Sequence, residues 1–292
     1  MRVLVLGSSG FIGKSIVSKA PKNIELTGTY YKNEIKYEDG DFEHLDYLDE
    51  GLDWEQIIKP FSCIIVAARA NAENIKARDN ISRRSRIAFI KMLNAVTESE
   101  SEIFIIAING SLTYGHRGED LVKTSDRINP TGFAKSYSIA ESPFREYLAK
   151  KNDIAIIRAP WVLGVDSWFP QMYLMTDKIP IIGTGRQWMA IVTVNDLAEY
   201  VWQLVEMRNS GIFHPKLSGR CRQRNFACIV QKVTKKKSKR LGIFSLLRME
   251  KQKRESILAS IKIDDREGYT SESDSAMIEL ENAIKDIYSV FS

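Results

Sequence analysis

The 292-residue sequence has few of the residues that hold metals or form disulfides, with only three cysteines and three histidines. Cys63, Cys221 and Cys228 lack the spacing of a metal site, and their odd number does not suit a disulfide framework. No run of about 18 apolar residues is present, so we expect no transmembrane span. These absences predict a reduced, cytoplasmic protein without a metal centre.

The net charge of +5 hides an uneven distribution of charge along the chain. Residues 220–254 contain thirteen Lys/Arg and one acidic residue, Glu250, whereas the rest of the chain has an excess of acidic residues. Such a block indicates a local anionic contact rather than a generally basic protein. A solvated basic face, an anionic substrate or pyrophosphate site and an anionic membrane surface all stay open. Nucleic acid is not expected as a partner, because the segment lacks interleaved aromatic residues.

The basic segment also carries local structural signals. Arg220, Arg222 and Arg224 alternate as they would on one face of a strand. The run at 235–240 predicts a loop or the start of a helix. The spacing of apolar and basic residues at 241–254 then predicts a basic amphipathic helix.

Strand and helix patterns alternate through the first two hundred residues. Apolar, β-branched runs predict buried parallel strands at 2–6, 24–30, 62–68, 103–108 and 154–158. Helical spacing of apolar residues predicts helices at 14–19, 54–58, 82–97, 136–150 and 195–205. This order predicts an α/β fold with a Rossmann-type doubly wound parallel sheet. The rhythm weakens after Gly164, which indicates a smaller C-terminal substrate lobe.

A glycine-rich turn, GSSGFIG, follows the first predicted strand and opens the first helix. The residues of this turn that we expect to contact a ligand are Gly7, Ser9, Gly10, Phe11, Ile12 and Gly13. Glycines allow a tight turn and a close approach of the backbone, and the helix N-terminus offers free N–H groups to a pyrophosphate. In this setting the pattern predicts dinucleotide binding. A tight turn beside an empty cleft is the alternative.

The end of the second predicted strand, at 28–32, is where such proteins select their cofactor. An acid there would bind the adenosine ribose of NAD, whereas a base would suit the 2′-phosphate of NADP. No acid is present and Lys32 is close, so the sequence favours NADP slightly over NAD. An ordinary solvated lysine is the alternative for Lys32.

By these motifs the chain resembles the extended short-chain dehydrogenase/reductase family, over about residues 1–215. It is most similar to the NAD-dependent epimerase/dehydratase and dTDP-4-dehydrorhamnose reductase-like branches. Besides the glycine turn, the matching stretches are LDYLDE at 45–50, IIVAAR at 64–69, LTYG at 112–115, RAPWVLG at 158–164 and IIGTGRQWMAIVTVNDLA at 181–198. The resemblance implies a nucleotide sugar or related small molecule as the substrate.

We therefore expect an NAD(P)-binding Rossmann domain at 1–165, to which 186–210 return, and a substrate-binding lobe made of 166–185 and 211–292. The resemblance further implies that Asp46 and Tyr47 lie near the adenine, and that Pro160 and Trp161 border the nicotinamide. It implies that Arg186 contacts the substrate phosphates. The centre of the cofactor would be contacted by Ala67, Ala68, Arg69 and Asn80. Turn capping by Asp46, strand packing by Ala67 and Ala68, and core packing by Trp161 are the alternatives.

The catalytic pattern of the family is not reproduced. Family enzymes use a Ser/Thr together with a Tyr and a Lys, the last two spaced YxxxK on one helical face. The lysine lowers the pKa of the tyrosine, which then works as acid or base. Pro130 and Glu141 set an alignment that places Phe133 at the tyrosine and Tyr137 at the lysine. The Ser/Thr position falls on Gly110, next to Ser111.

A rival alignment takes Tyr137 as the acid and puts Glu141 at the lysine position. It breaks the proline spacing and places a carboxylate where a cation is needed. A shifted mechanism would use Tyr137, Ser111 or Tyr114 as catalytic groups, and simple packing is the alternative for all three.

Two functions remain open at this point. The first is an oxidoreductase or epimerase that uses NAD(P) in an altered active site. The second is a catalytically inert, cofactor-binding protein that regulates or scaffolds a partner. A homodimer is compatible with either function.

Overall fold

The computed structural model describes residues 1–34, 40–69, 72–264 and 273–292. Its strands are β1 (Arg2–Leu6), β2 (Glu25–Tyr30), β3 (Asp41–His44), β4 (Cys63–Val66), β5 (Phe104–Gly110), β6 (Leu121–Val122), β7 (Ile154–Ala159), β8 (Trp161–Leu163), β9 (Ile179–Ile182), β10 (Trp188–Thr193), β11 (Gly211–Phe213), β12 (Gly219–Arg222), β13 (Ser238–Leu241) and β14 (Lys262–Ile263). Its α-helices are α1 (Phe11–Ser18), α2 (Trp54–Ile58), α3 (Ile75–Glu98), α4 (Ala134–Leu148), α5 (Val194–Met207), α6 (Gln223–Thr234), α7 (Ile243–Leu247), α8 (Lys251–Leu258) and α9 (Asp274–Ser289).

Seven strands form a central sheet in the order β11-β7-β5-β4-β1-β2-β3. Strand β1 pairs in parallel with both β2 and β4, so that Val5 lies beside Gly28 on one side and Ile65 on the other. Every residue of β4 and β7 is buried, as expected for parallel strands covered by helices. The predicted Rossmann-type doubly wound parallel sheet is confirmed.

The chain divides into two compact units. The first consists of Met1–Asn109, Ser136–Arg158 and Ala198–Phe213, and the second of Gly110–Lys135, Ala159–Leu197 and His214–Ser292. This division differs from the predicted boundaries, because 110–135, 159–165 and 186–197 cluster with the second unit and 211–213 with the first. The cause is long-range strand pairing: β6 pairs with β14, and β10 pairs with β8 and β12. Pairings of this kind leave no periodic signal in the sequence.

The core of the first unit forms between strands of the central sheet and the helices α2, α3 and α4. Trp54 and Ile58 of α2 pack there with Met92 of α3 and Phe144 of α4. Elsewhere in the unit, α5 is tied to α1, since the indole N–H of Trp202 donates to the carbonyl oxygen of Ile16 at 2.8 Å.

The second unit contains smaller sheets around an aromatic cluster. Sheet β12-β10-β8 is accompanied by the pairs β13-β9 and β14-β6. Trp168, Phe169, Tyr173 and Phe226 meet in its core, with ring centroids between 5.2 and 6.3 Å apart. Among the described residues, none of the helices is both long and apolar enough to span a membrane.

The structure corrects three expectations for the basic segment. The run at 235–240 enters a strand, β13, because its backbone pairs in parallel with β9. Arg224 does not continue the strand of Arg220 and Arg222 but lies in the first turn of α6. The helix predicted at 241–254 is two helices, since the extended backbone of Glu250 separates α7 from α8.

A buried ion pair joins α4 to β7 in the first unit. The guanidinium of Arg158 and the carboxylate of Glu141 are in contact, and both side chains are fully buried. Arg145, one turn further along α4, brings its Nε to 3.2 Å from the same carboxylate. Removing one member of such a pair leaves a buried charge without its partner, which is costly.

We expect Glu141→Gln to lower the free energy of unfolding by about 3–5 kcal/mol, because Arg158 loses its counter-charge in a buried place. Urea denaturation measures this loss. The control is Glu146→Gln, which removes a partly exposed carboxylate 3.7 Å from Arg86 and should cost at most about 1 kcal/mol. Equal losses in the two variants would contradict the assignment.

Candidate functional site

The turn after β1 is built from close backbone contacts that only glycine allows. Gly7 has a φ of +82°, and a Cβ there would lie 2.6 Å from the Cα of Ala68. A Cβ on Gly13 would lie 2.1 Å from the carbonyl oxygen of Gly7. Real Cβ atoms do not approach other atoms this closely, so both positions require glycine for steric reasons.

The start of α1 presents backbone amides without a side-chain cap. Gly10 is the N-cap residue, and it has no side chain with which to cap the helix. The first N–H groups of a helix have no acceptor within it, and the helix dipole favours an anion beside them. Ser8 does not compete, because its Oγ donates to the carbonyl oxygen of Thr29 at 2.8 Å. The turn therefore fits a pyrophosphate.

A cleft lies beside this turn, wholly within the first unit. It encloses about 470 Å³ of space, part of it open to solvent. Ala68, whose backbone abuts Gly7, lies in its wall, so this part of the cleft is adjacent to the glycine turn. Arg69, Asn109 and Tyr137 contribute polar groups to the lining. In open α/β sheets, ligands bind at the carboxyl ends of the strands. The cleft lies at the carboxyl ends of β4 and β5.

Tyr137 and Arg69 meet in this cleft. The side chain of Tyr137 is 8% exposed, and the Cζ of Arg69 lies 5.2 Å from the centre of its ring. This distance is within the range of a cation–π interaction. The structure thus brings together a predicted catalytic residue and a predicted cofactor contact. It also places a cation beside Tyr137 that no spacing on the helix would reveal.

Glu141, the residue of the rival alignment, is engaged elsewhere. It also borders the cleft, but its carboxylate contacts Arg158 and Arg145. Its negative charge is therefore balanced by two guanidinium groups. The cation facing Tyr137 comes from the end of β4 instead.

Ser111 and Tyr114 belong to the second unit, whereas Tyr137 belongs to the first. They lie in a 3₁₀-helix at Ser111–Tyr114, and both are buried. The hydroxyl of Tyr114 is 2.9 Å from Nε2 of His214. Sequence reasoning did not identify His214 as a partner, because the two residues are a hundred positions apart and share no motif.

Phe133, aligned with the family tyrosine, is held by helix α8. Its backbone N–H donates to Oγ of Ser256 at 3.0 Å. A Cβ on the preceding Gly132, which has a φ of +56°, would lie 2.1 Å from that Oγ. Glu255 accepts from Nζ of Lys135 at 2.7 Å. Helix α8 is therefore packed closely against the start of α4, a contact that local sequence patterns do not indicate.

Asp46 and Tyr47, predicted to lie near the adenine, are both in local contacts. The carboxylate of Asp46 accepts from the N–H of Leu48 at 3.0 Å, as a turn cap does. The ring of Tyr47 stacks on Phe89, with centroids 5.3 Å apart. Its hydroxyl is 3.0 Å from Oγ of Ser85, and Tyr47 also lines the cleft.

Two further predicted residues of the first unit face solvent, and one continues the sheet. Lys32 is exposed, with Nζ 5.8 Å from the ring of Tyr31. Asn80 is exposed on α3. Ala67 extends the pairing of β4 with β1, since its N–H donates to the carbonyl oxygen of Leu6 at 3.0 Å.

The remaining predicted residues lie in the second unit. Pro160 is buried, and the ring of Trp161 packs edge-on against Trp168 with centroids 4.7 Å apart. Arg186 has an exposed side chain, and its carbonyl oxygen accepts from the guanidinium of Arg222 at 2.5 Å. This contact agrees with the core-packing alternative for Trp161, and its contact with the nicotinamide stays a prediction.

Part of the basic segment is neutralised within the second unit. Arg222 donates to both carboxylate oxygens of Glu119, at 2.8 and 2.6 Å, and its guanidinium lies 4.1 Å from the centre of the Trp188 ring. The indole N–H of Trp188 donates to the same carboxylate at 3.0 Å. The hydrogen bonds from Arg222 and Trp188 lower the pKa of Glu119 to about 2.

A carboxyl group whose pKa is lowered by folding stabilises the folded state above its ordinary pKa of 4.5. This stabilisation is lost as the pH falls through the lower folded value. We therefore expect Glu119→Gln to be less stable than the wild type at pH 6, by a difference that shrinks as the pH falls below 4.5. Urea denaturation at several pH values measures the difference. The control is Asp120→Asn, which removes a neighbouring exposed carboxylate. A pH-dependent difference of the same size in this variant would refute the assignment of the effect to Glu119.

A parallel sheet with a glycine turn after its first strand, and a cleft at the ends of β4 and β5, define a dinucleotide-binding α/β protein of the Rossmann type. The chain belongs to the NAD dependent epimerase/dehydratase family, whose model matches residues 3–214. The resemblance inferred from the sequence motifs is confirmed.

Solved structures share the fold at low sequence identity. The UDP-N-acetylglucosamine 4-epimerase of Methanobrevibacter ruminantium M1, in complex with UDP-N-acetylmuramic acid, is 17% identical with a TM-score of 0.75, covering 99% of this chain and 98% of its own. The UDP-glucuronic acid 4-epimerase of Bacillus cereus, in complex with UDP-glucuronic acid and NAD, is 15% identical with a TM-score of 0.76, covering 100% of both chains. A dTDP-4-dehydrorhamnose reductase of Clostridium acetobutylicum is 17% identical with a TM-score of 0.70, covering 100% and 99%. No curated protein matches the sequence.

Proposed function

We propose that this protein is an NAD(P)-dependent oxidoreductase or epimerase of nucleotide sugars that works with an altered active site. The observation that carries the proposal is the pair of Tyr137 and Arg69 in a cleft that is adjacent to the glycine turn. Family membership supports the reaction class, and the UDP-sugars bound by the related epimerases support the substrate class.

The glycine turn would hold the cofactor's pyrophosphate on the amides that follow Gly10. Ala68 and Arg69 would border the centre of the cofactor, since they follow β4 and line the cleft. The exposed side chain of Lys32 would contact the 2′-phosphate of NADP. We therefore propose that the protein binds NADP slightly better than NAD. When bound, the nicotinamide supplies a carbon that accepts or donates a hydride.

Tyr137 would act as the acid or base, with the proton moving between its Oη and a hydroxyl of the substrate. Family enzymes place a lysine one helical turn after the tyrosine. Here Arg69 supplies the fixed positive charge from the end of a neighbouring strand. A guanidinium stays charged at any working pH, so it would stabilise negative charge that develops on the phenol oxygen.

A catalytically inert, cofactor-binding regulator or scaffold is the second candidate. The specific observation in its favour is Phe133, which has no proton to transfer and stands where the family has its tyrosine. Its backbone is held by Ser256, so the start of α4 is occupied by contacts with α8. Such a protein would bind the cofactor but would not turn over a nucleotide sugar.

We also propose that the second unit binds the substrate and that the protein works in the cytoplasm, as a monomer or homodimer. The three cysteines support a reducing compartment. Cys63, Cys221 and Cys228 are free thiols, and burial raises the pKa of Cys63 to about 12, which makes it inert.

The cofactor site is tested by titration calorimetry with NAD⁺, NADH, NADP⁺ and NADPH. We expect binding of at least one pair, and loss of binding in Gly10→Asp, because the new carboxylate would cap the helix amides and repel the pyrophosphate. Aspartate is a good N-cap residue, so the fold should persist.

The matched control for this titration is Gly242→Asp, the same change at the N-cap of α7, where nothing lies within 4 Å of an added Cβ. Its affinity should equal that of the wild type. Lys32→Glu should weaken NADPH more than NADH. The cofactor proposal fails if none of the four nucleotides binds the wild type.

The catalytic proposal is tested with UDP-sugars and the cofactor that binds. We expect Tyr137→Phe to lower kcat by at least about a hundredfold, as loss of a general acid or base does. Tyr147→Phe is the control, since Tyr147 is a buried tyrosine on the same helix whose hydroxyl bonds Asp153 at 3.1 Å. Unchanged turnover in Tyr137→Phe would remove Tyr137 from the reaction. Binding without any turnover in the wild type would favour the inert candidate.

A further inference from the structure

Helix α7 exposes three large apolar side chains within five residues. Ile243, Phe244 and Leu247 are 66%, 80% and 59% exposed. Residues at positions i, i+1 and i+4 lie on one side of a helix, so the three side chains form a single apolar face, the α7 face. An apolar face of this kind in water indicates a contact surface.

The α7 face is held outward by the rest of the second unit. Leu246, which borders the α7 face beside Ile243, is buried against Ile182 and Ile257. The preceding strand β13 pairs with β9, and Nε of Arg240 donates to the carbonyl oxygen of Gly183 at 2.6 Å. The helix cannot rotate its exposed side chains inward without taking Leu246 out of this core.

The basic residues of 220–254 fall into two groups. One group is used within the second unit: Arg222 bonds Glu119, Lys232 bonds Glu281 at 2.6 Å, and Lys236 bonds the carbonyl oxygens of Leu174 and Thr176 at 2.5 and 2.9 Å. The other group is exposed, and its side chains make no hydrogen bond or ion pair with any other residue that the structure describes. Apart from Lys251, whose charge acts on Glu255, its members nearest to α7 in the chain are Lys235, Lys237, Lys239, Arg248 and Lys253.

We propose that the α7 face and its flanking cations bind the surface of an anionic phospholipid bilayer. The three apolar side chains would enter the boundary between headgroups and acyl chains, while the cations contact lipid phosphates and carboxylates. A bilayer of this kind accounts for both the exposed apolar side chains and the exposed cations. It is independent of the proposed catalysis.

Other partners account for only one half of this surface. A second copy of the chain in a two-fold dimer would bring the cations of one subunit against those of the other. A nucleotide diphosphate would be recognised by the cations alone, and gives no reason for Ile243, Phe244 and Leu247 to face water. The bilayer is therefore the partner that the charges and the apolar residues favour together.

The test is co-sedimentation of the full chain with vesicles of phosphatidylcholine alone and of phosphatidylcholine with about 30% phosphatidylserine. We expect binding to the anionic vesicles that weakens as salt is added. The triple variant Ile243→Ser, Phe244→Ser, Leu247→Ser and the triple variant Lys239→Glu, Arg248→Glu, Lys253→Glu should each reduce the bound fraction at least about tenfold.

Each variant has a matched control on the surface elsewhere. Met175→Ser with Ile278→Ser removes exposed apolar side chains, and Lys22→Glu with Lys59→Glu and Lys76→Glu reverses exposed charges. Both controls should bind anionic vesicles like the wild type. Circular dichroism checks the fold of every variant, and nucleotide titration should give the same affinity in all of them.

Three outcomes would overturn the proposal. The wild type could fail to bind anionic vesicles, or the α7 variants could bind as well as their controls. Sedimentation velocity without lipid covers the remaining case: if the apolar triple variant converts a wild-type dimer to a monomer and vesicles bind neither form, the face is a subunit interface.

Discussion

The close contact of backbone with backbone at Gly7 is the constraint on which the site depends. Strand β1, the start of α1 and the residues after β4 converge at a point where no Cβ fits at Gly7 or Gly13. The strand therefore turns sharply into the helix, and the amides after Gly10 are left without a side-chain cap. The wall of the cleft at Ala68 is adjacent to the turn for the same reason, since the chain after β4 lies directly against the turn.

On the alignment set by Pro130 and Glu141, the proposed chemistry depends on which elements bring charge to the cleft. In the family the cation is a lysine on the helix of the tyrosine. In this protein that helix carries Tyr137 at the lysine position, and its Glu141 neutralises the buried Arg158. The cation reaches Tyr137 from Arg69, at the end of β4. The backbone N–H of Phe133, which the same alignment places at the family tyrosine, donates to Oγ of Ser256 in α8.

The parts of the fold that could be predicted are those with local causes. The buried strands are continuous apolar runs, and the glycine turn has a fixed spacing. The distance between Pro130 and Glu141 sets the alignment of this region with the family. The parts that could not be predicted join residues far apart in the chain. Examples are the pairing of β13 with β9, the contact of Tyr114 with His214 and the packing of α8 on Gly132. The local contacts of Asp46 and Trp161 were likewise not visible in the sequence.

The amino-acid sequence by itself determined the class of fold and the glycine turn and predicted the loss of the family's Tyr/Lys pair, because each is a matter of residue type at short spacing. Only the tertiary structure decided that Arg69 faces Tyr137, that part of the basic segment is used internally, and that Ile243, Phe244 and Leu247 stay in water. These outcomes depend on which elements pack together. Strand pairing and core packing decide which elements meet, and both join residues that are far apart in the chain.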